Sequence, residues 1–150
     1  MKVVRSVELE WNRQVDHGRF AGLRKALGGE KLTAGLWQLP PGKRSWPLHR
    51  HHVTEEGLFV LSGHAKVRTT DGETAIGPGD YVNFPPGGPA HQLVNDGDEP
   101  LVYLGLSAVG GIDLVEYPES GKVAVAVNFP GCTHMLFRNP APPDYWEGEE

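Results

Sequence analysis

From residue 32 onward, short apolar runs alternate with segments rich in glycine, proline and aspartate. Turns at about every eight to twelve residues are typical of β-strands in a sandwich or barrel, and Asp71-Gly72 between two such runs is a strong hairpin signal. No helix-length periodic segment interrupts the pattern, which therefore predicts an all-β fold. The predicted strands are residues 32–39, 46–51, 57–61, 64–70, 73–76, 81–84, 90–94, 101–107, 113–118 and 122–127.

The first thirty residues carry a weaker pattern. Val7, Leu9 and Trp11 alternate with polar residues and predict a short edge strand. Residues 19–27 carry apolar side chains at helical spacing, and the following Gly28-Gly29 is a typical stop, so a short helical turn is predicted there.

We accordingly divide the chain into an N-terminal arm (1–30), a β-barrel (31–127) and a C-terminal tail (128–150). The tail is acidic and rich in proline, but Tyr145 and Trp146 are costly to leave in water. We therefore expect the tail to pack on the barrel or on a partner subunit, and the sequence leaves both open.

Composition adds bounds on location. At 150 residues the chain fits one domain. Its single cysteine, Cys132, cannot form an intrachain disulfide, and no apolar signal segment opens the sequence. The longest apolar run, around residues 101–108, is far too short to span a membrane. These features predict a cytoplasmic protein that does not act at a membrane.

The charge is unevenly placed. The net charge is −5, but residues 1–50 hold ten Lys and Arg against four Asp and Glu, a net +6, which leaves −11 for the rest. The basic residues are scattered, without the interleaved aromatic residues that would offer stacking platforms for bases, so we predict no nucleic-acid partner. Instead we expect the basic arm to lie on the acidic surface of its own barrel or of a partner subunit.

The candidate chemistry lies in His49-Arg50-His51-His52, followed by Glu56. Side chains alternate along an extended strand, so His49 and His51 point together while Arg50 and His52 point away. Glu56 can join the pair if the chain reverses after His51. Imidazole and carboxylate together suit zinc, iron, manganese or nickel, so the pattern indicates a divalent metal site.

At this point the chain resembles the cupin superfamily, in particular small single-domain bacterial cupins, over roughly residues 35–107. Two motifs carry the resemblance. The chain departs from them in two gaps that are longer than usual, Gly42 to His49 and Gly87 to His91, and both lie in turns that tolerate insertion. The first motif is matched by Gly42, His49, His51, Glu56 and Gly63. The second motif is matched by Gly79, Pro85, Gly87, His91 and Asn95.

The resemblance implies a double-stranded β-helix, or jelly-roll barrel, with short extensions at both ends. It also implies that His49, His51, Glu56 and His91 bind one divalent metal inside the barrel, and that the N-terminal extension packs at a homodimer interface. The candidates for an apolar wall around the metal are Phe59, Phe84 and Tyr103, and the alternative for each is simple core filling.

Three imidazoles and one carboxylate leave two adjacent positions open on an octahedral ion. We expect such an ion to act on a small oxygen-rich metabolite, as an isomerase, lyase or dioxygenase. The alternative is a non-catalytic module that binds or senses a sugar or organic acid through the metal. Arg44, before the ligand strand, is a possible clamp for a carboxylate or phosphate, but no residue stands out as an acid or base.

Overall fold

A computed structural model of the protein describes residues 1–108, 110–127 and 134–138, with only the backbone of His134 included. This part of the chain contains thirteen β-strands and one 3-10 helix (Ser6–Glu8), and it contains no α-helix. The all-β prediction is therefore confirmed. The strands are β1 (Asn12–His17), β2 (Phe20–Gly28), β3 (Leu32–Leu39), β4 (Arg50–His51), β5 (Glu55–Ser62), β6 (Ala65–Thr69), β7 (Glu73–Ile76), β8 (Tyr81–Phe84), β9 (His91–Val94), β10 (Leu101–Ala108), β11 (Ile112–Tyr117), β12 (Lys122–Val127) and β13 (His134–Arg138).

The described strands form three groups. A six-stranded sheet has the order β1-β2-β3-β10-β5-β8, a four-stranded sheet the order β13-β12-β11-β4, and a three-stranded sheet the order β7-β6-β9. All pairs are antiparallel. The ladders do not close into one continuous ring, and the sheets instead face one another as in a jelly roll.

The main core lies between the six-stranded and three-stranded sheets. Its members are apolar side chains that alternate with outward-facing neighbours, as period-2 strands require. Burying each of the larger ones removes apolar surface from water and contributes roughly 1.5–3 kcal/mol. They are Leu39, Leu58, Val60, Ala65, Val67, Ile76, Leu93 and Leu101.

A second, smaller cluster of Val115, Ala124 and Ala126 sits on the four-stranded sheet, with Tyr117 packed against it. The side chains there are small. The inner face of β11 and β12 consequently leaves space in front of it, and this space becomes part of the cavity described below.

The N-terminal predictions need correction. Residues 7–11 do not form a strand, because Ser6–Glu8 is a 3-10 helix. Residues 19–27 do not form a helical turn either, since β2 pairs with β1 on one side and β3 on the other. Two hydrogen-bonded neighbours and the hairpin at Gly18, whose φ is +58°, favour the strand over the helical spacing of a few apolar side chains.

The first ligand strand is also shorter than predicted. Within residues 46–51, only Arg50–His51 is a regular strand, while His49 forms an isolated bridge to His91. The predicted strand 32–39 has the same bounds in the structure, and Asp71-Gly72 joins β6 to β7 as a hairpin.

Most of the predicted tail, 128–150, including Cys132, Tyr145 and Trp146, lies outside the described residues. Among the described residues, no helix is long and apolar enough to cross a membrane. The homodimer, the cytoplasmic location and the absence of a nucleic-acid partner stay predictions.

Candidate metal centre

Two backbone hydrogen bonds bring His49 and His91 together. The His91 N–H donates to the His49 carbonyl at 2.8 Å, and the His49 N–H donates to the His91 carbonyl at 3.2 Å. Residues that exchange both bonds lie directly opposite each other, with their side chains on the same face. The two imidazole centroids are 4.9 Å apart, and both residues are buried. Residues forty-two positions apart in the chain thus meet at one point.

His51 and Glu56 complete the cluster from two other strands. His51 lies on β4 opposite Val115, and its ring centroid is 5.2 Å from that of His49. Glu56 lies on β5, where the Ser107 hydroxyl donates to its Oε1 at 3.0 Å. The other oxygen, Oε2, is 3.5 Å from His51 Nε2 and 3.4 Å from His91 Nε2. The Glu56 carboxylate is therefore turned toward the histidines.

The outer nitrogen of each imidazole has an acceptor. His49 Nδ1 donates to the Pro47 carbonyl at 2.8 Å, His91 Nδ1 to the Pro89 carbonyl at 3.4 Å, and His51 Nδ1 to Asp113 Oδ2 at 2.6 Å. Carbonyl and carboxylate oxygens only accept, so each Nδ1 carries the proton. The Nε2 lone pairs are then available toward the centre of the cluster, which is the arrangement of metal-binding histidines.

These donors fit a divalent ion. His49, His51 and Glu56 offer ligand atoms that all lie within 4.8 Å of one another. Two ligands at about 2.1 Å from one ion are separated by roughly 3 Å when they subtend a right angle. The separations between Glu56 Oε2 and the two Nε2 atoms, 3.5 and 3.4 Å, are only slightly longer. His91 lies beside the compact group of three and contacts it through Glu56.

The alternation predicted for residues 49–52 is confirmed. Arg50 and His52 face away from the cluster and share the carboxylate of Glu116. The His52 Nε2 atom is 3.4 Å from Glu116 Oε2, without hydrogen-bond geometry. His52 therefore lies on the opposite face of the strand from the candidate ligands.

Asp113 is a functional residue that the sequence reading missed. It is only 1% exposed, and its Oδ1 accepts hydrogen bonds from the backbone N–H groups of His52 and Val53. Burial raises the pKa of Asp113, but hydrogen bonds from Thr54 and His51 outweigh that effect and keep the pKa below its usual range. Asp113 is therefore a carboxylate that orients His51. The signal in the sequence is its position two residues before the apolar Val115. Residues two apart on a strand share a face, so Asp113 faces inward when Val115 does.

The cluster lines a cavity of about 590 Å³. Phe84 stacks on His91 with centroids 3.8 Å apart, and Tyr103 also lines the cavity, as predicted. Phe59 does not, because it is 39% exposed on the outer face of β5. Arg44, the possible clamp, is also absent from the lining. Its backbone instead pairs with Arg19 and Ala21.

Burial shapes the charge state of the site. Desolvation, and then the nearby His91, lower the pKa of His49 from 6.5 to about 4. Burial alone would raise the pKa of Glu56, but the adjacent His91, together with His51 and His49, lowers it to about 2. At neutral pH the site therefore presents an uncharged His49 and an ionised Glu56, as metal binding requires.

Comparisons with known proteins agree with the fold. A family model described as the cupin domain matches residues 35–107. A candidate sugar phosphate isomerase from Acidithiobacillus ferrooxidans is 31% identical, with a TM-score of 0.79 over 88% of this chain and 86% of that one. No curated protein sequence matches.

Two more distant structures show the fold alone. A sugar phosphate isomerase of the cupin superfamily from Silicibacter pomeroyi is 22% identical, with a TM-score of 0.81 over 96% of this chain and 98% of that one. A predicted oxalate decarboxylase from Thermotoga maritima is 23% identical, with a TM-score of 0.65 over 73% of this chain and all of that one.

The first prediction separates the two faces of the ligand strand. His51→Ala should remove most of the bound metal from untagged protein, whereas His52→Ala should retain the wild-type stoichiometry, as measured by elemental analysis. Asp113→Asn should retain less metal than His52→Ala and more than His51→Ala. Its metal affinity should be lowered about 10- to 100-fold, because the substitution disturbs the orientation of His51 without removing a ligand. Equal metal loss in His51→Ala and His52→Ala would contradict the assigned faces.

The second prediction concerns pH and the metal-free protein. Because the pKa of His49 is about 4 in the folded state and 6.5 when unperturbed, the unfolded state binds more protons between those values. The free energy of unfolding should therefore fall as pH decreases from 6.5 toward 4, by on the order of 3 kcal/mol from His49.

His49→Gln should lose this part of the pH dependence in chemical denaturation of chelator-treated protein. If wild type and variant show the same change between pH 6.5 and 4, burial of a neutral His49 is not its cause.

Proposed function

This chain belongs to the cupin superfamily, and we propose that it binds a divalent metal through His49, His51, Glu56 and His91 and acts on a small oxygen-rich metabolite there. The observation that supports this most strongly is the meeting of three imidazoles and one carboxylate in a cavity, each imidazole with its Nδ1 atom held by an acceptor. Zinc, iron, manganese and nickel all fit this donor set.

A divalent ion held by these residues would supply Lewis acidity to a carbonyl or hydroxyl oxygen of the ligand. The surrounding residues would determine which molecule binds. Phe84 fixes the His91 ring, Ser107 fixes one oxygen of Glu56, and Tyr103 projects a phenol into the cavity. Burial raises the pKa of Tyr103, so it stays protonated and acts as a hydrogen-bond donor to an oxygen-rich ligand.

Among the reaction classes, we favour isomerisation of a sugar. The protein from Acidithiobacillus ferrooxidans, at 31% identity, is described as a candidate sugar phosphate isomerase. Aldose–ketose isomerisation needs polarisation of a carbonyl next to a hydroxyl, and a divalent ion held by this set of residues would supply that polarisation.

The second candidate is a non-catalytic module that binds or senses a sugar or organic acid. One observation favours it: the carboxylates among the described lining residues are already engaged. Glu56 belongs to the ligand set and Asp113 holds His51. The cavity therefore offers no uncommitted carboxylate that would act as a general base.

The third prediction distinguishes these two candidates. Metal-loaded protein should convert aldoses to ketoses within a panel of three- to six-carbon sugars, free and phosphorylated. Proton NMR in deuterium oxide should show ketose formation and exchange at C2, both absent from His51→Ala. Metal-dependent binding without turnover or exchange would instead support the binding module. Turnover that persists in metal-free protein would contradict the proposed role of the ion.

A further inference from the structure

Arg24 shares the cavity with the candidate metal ligands. It lies on β2 opposite Trp37 of β3, within the six-stranded sheet. Among the described lining residues it is the one Lys or Arg side chain. The far side of the cavity from the histidines therefore carries a fixed positive charge.

A pair of glycines directs this side chain toward the metal cluster. Gly35 and Gly105 lie opposite each other on β3 and β10. A Cβ atom on Gly35 would come within 2.7 Å of Arg24 Nε, and one on Gly105 within 2.8 Å of the Trp37 ring. The Arg24 and Trp37 side chains thus lie flat over bare backbone.

Both side chains lean in one direction along the sheet. Inward-facing residues of neighbouring strands form rows across the sheet. The row after Trp37 contains Gly35 and Gly105, and the following row contains Thr33, Ser107 and Glu56. Arg24 and Trp37 therefore lean toward the row that carries the Glu56 ligand. Gly105 lies between Gly35 and Leu58, so Gly35 and Leu58 are two strand spacings apart. Leu58 is on the same inner face of β5 as Glu56. The Arg24 guanidinium, which lies over Gly35, is therefore on the order of 10 Å from the ligand cluster.

The Arg24 guanidinium forms no ion pair with any of the described residues. Its Nε is buried and has no hydrogen-bond partner among the described residues. It stacks on Trp37, 5.2 Å from the ring centroid. Within the same part of the chain, the arginines that form ion pairs are Arg5, Arg13, Arg50 and Arg68. A buried N–H donor without an acceptor is unfavourable, and an anionic ligand in the cavity would supply the acceptor.

We propose that Arg24 binds an anionic group, a phosphate or a carboxylate, at one end of a metabolite whose other end binds at the metal. This inference rests on the proposed function and narrows its substrate class to short, oxygen-rich anions. The planar guanidinium presents paired N–H donors that match two oxygens of either group, and Trp37 fixes its plane. Arg24 thereby determines specificity without touching the reacting atoms.

The first experiment tests the anion site alone. Inorganic phosphate and acetate are titrated into nitrogen-15-labelled protein, with and without metal, and the arginine Nε–H signals are followed by NMR. The Arg24 signal, assigned by its loss in Arg24→Gln, should shift saturably with one of the two anions, which identifies the group. No shift with either anion at millimolar concentration would overturn the proposal.

Arg44→Gln is the matched control, because Arg44 is similarly half-buried but does not line the cavity. The Arg24 signal should respond to the anion as in wild type in this variant. Because both Arg24 variants lack the Arg24 Nε–H signal, their anion affinity is measured from the backbone amide signals of the residues that line the cavity. Arg24→Lys keeps the charge but loses the planar fork, so it should bind the anion more weakly than wild type and more tightly than Arg24→Gln. Equal anion affinity of wild type and a normally folded Arg24→Gln would contradict the proposal.

The second experiment links the two ends of the cavity. Calorimetry of metal-loaded protein compares glycerate with 3-phosphoglycerate and with malate, which add a phosphate or a second carboxylate to a similar chelating group. The added anion should tighten binding about 10- to 100-fold, the effect of a charge-assisted hydrogen-bond pair. Arg24→Gln should abolish that gain, whereas Arg44→Gln should keep it.

The two proposals fail in different ways. Glycerate binding that does not depend on metal would contradict the proposed function, while an Arg24-dependent gain would still support the anion site. Glycerate binding that depends on metal, with no gain from either added anion, would overturn the anion site and leave the metal centre standing.

Discussion

The pairing of His49 with His91 is the constraint on which the rest of the site depends. Two backbone hydrogen bonds fix these residues opposite each other, so both imidazoles enter the cavity from one side. The same pairing anchors β9, whose Leu93 packs in the main core. Once these two are placed, His51 follows from strand alternation, and Glu56 lies on the neighbouring sheet. The ligand geometry is thus a consequence of the backbone ladder.

Electrostatics reinforces that geometry. A histidine in a cavity with low dielectric resists protonation, and a carboxylate beside imidazoles resists it as well, so the same burial prepares both kinds of ligand. Asp113 accepts a hydrogen bond from the Nδ1–H group of His51, which leaves the Nε2 lone pair of His51 available toward the cluster. Arg24 contributes a positive charge to the same cavity, opposite in sign to the charge of the Glu56 carboxylate. A cavity with a candidate metal-binding cluster and, elsewhere in its lining, an arginine that forms no ion pair among the described residues suits a ligand with two distinct ends.

Strand alternation explains why much of this was visible in the sequence. Period-2 reasoning places His49 and His51 on one face and His52 on the other without knowledge of the fold, and glycine and proline mark most of the turns. The pairing of His49 with His91 required the family resemblance, because strand register over forty residues is not encoded locally. Residues 19–27 were misread because three apolar side chains fit a helix as well as a strand, and only the neighbouring strands decide between them. Asp113 and Arg24 were missed because their importance lies in what they contact, or fail to contact, in three dimensions.

The most direct test of the central claim is anomalous diffraction from crystals of untagged protein, collected on both sides of the absorption edge of the metal found in it. We expect one strong anomalous peak inside the cavity, at coordination distance from the Nε2 atoms of His49, His51 and His91 and from the Glu56 carboxylate. A cavity without a peak, or a peak at the His52 and Glu116 face instead, would show that these four residues do not form the metal site.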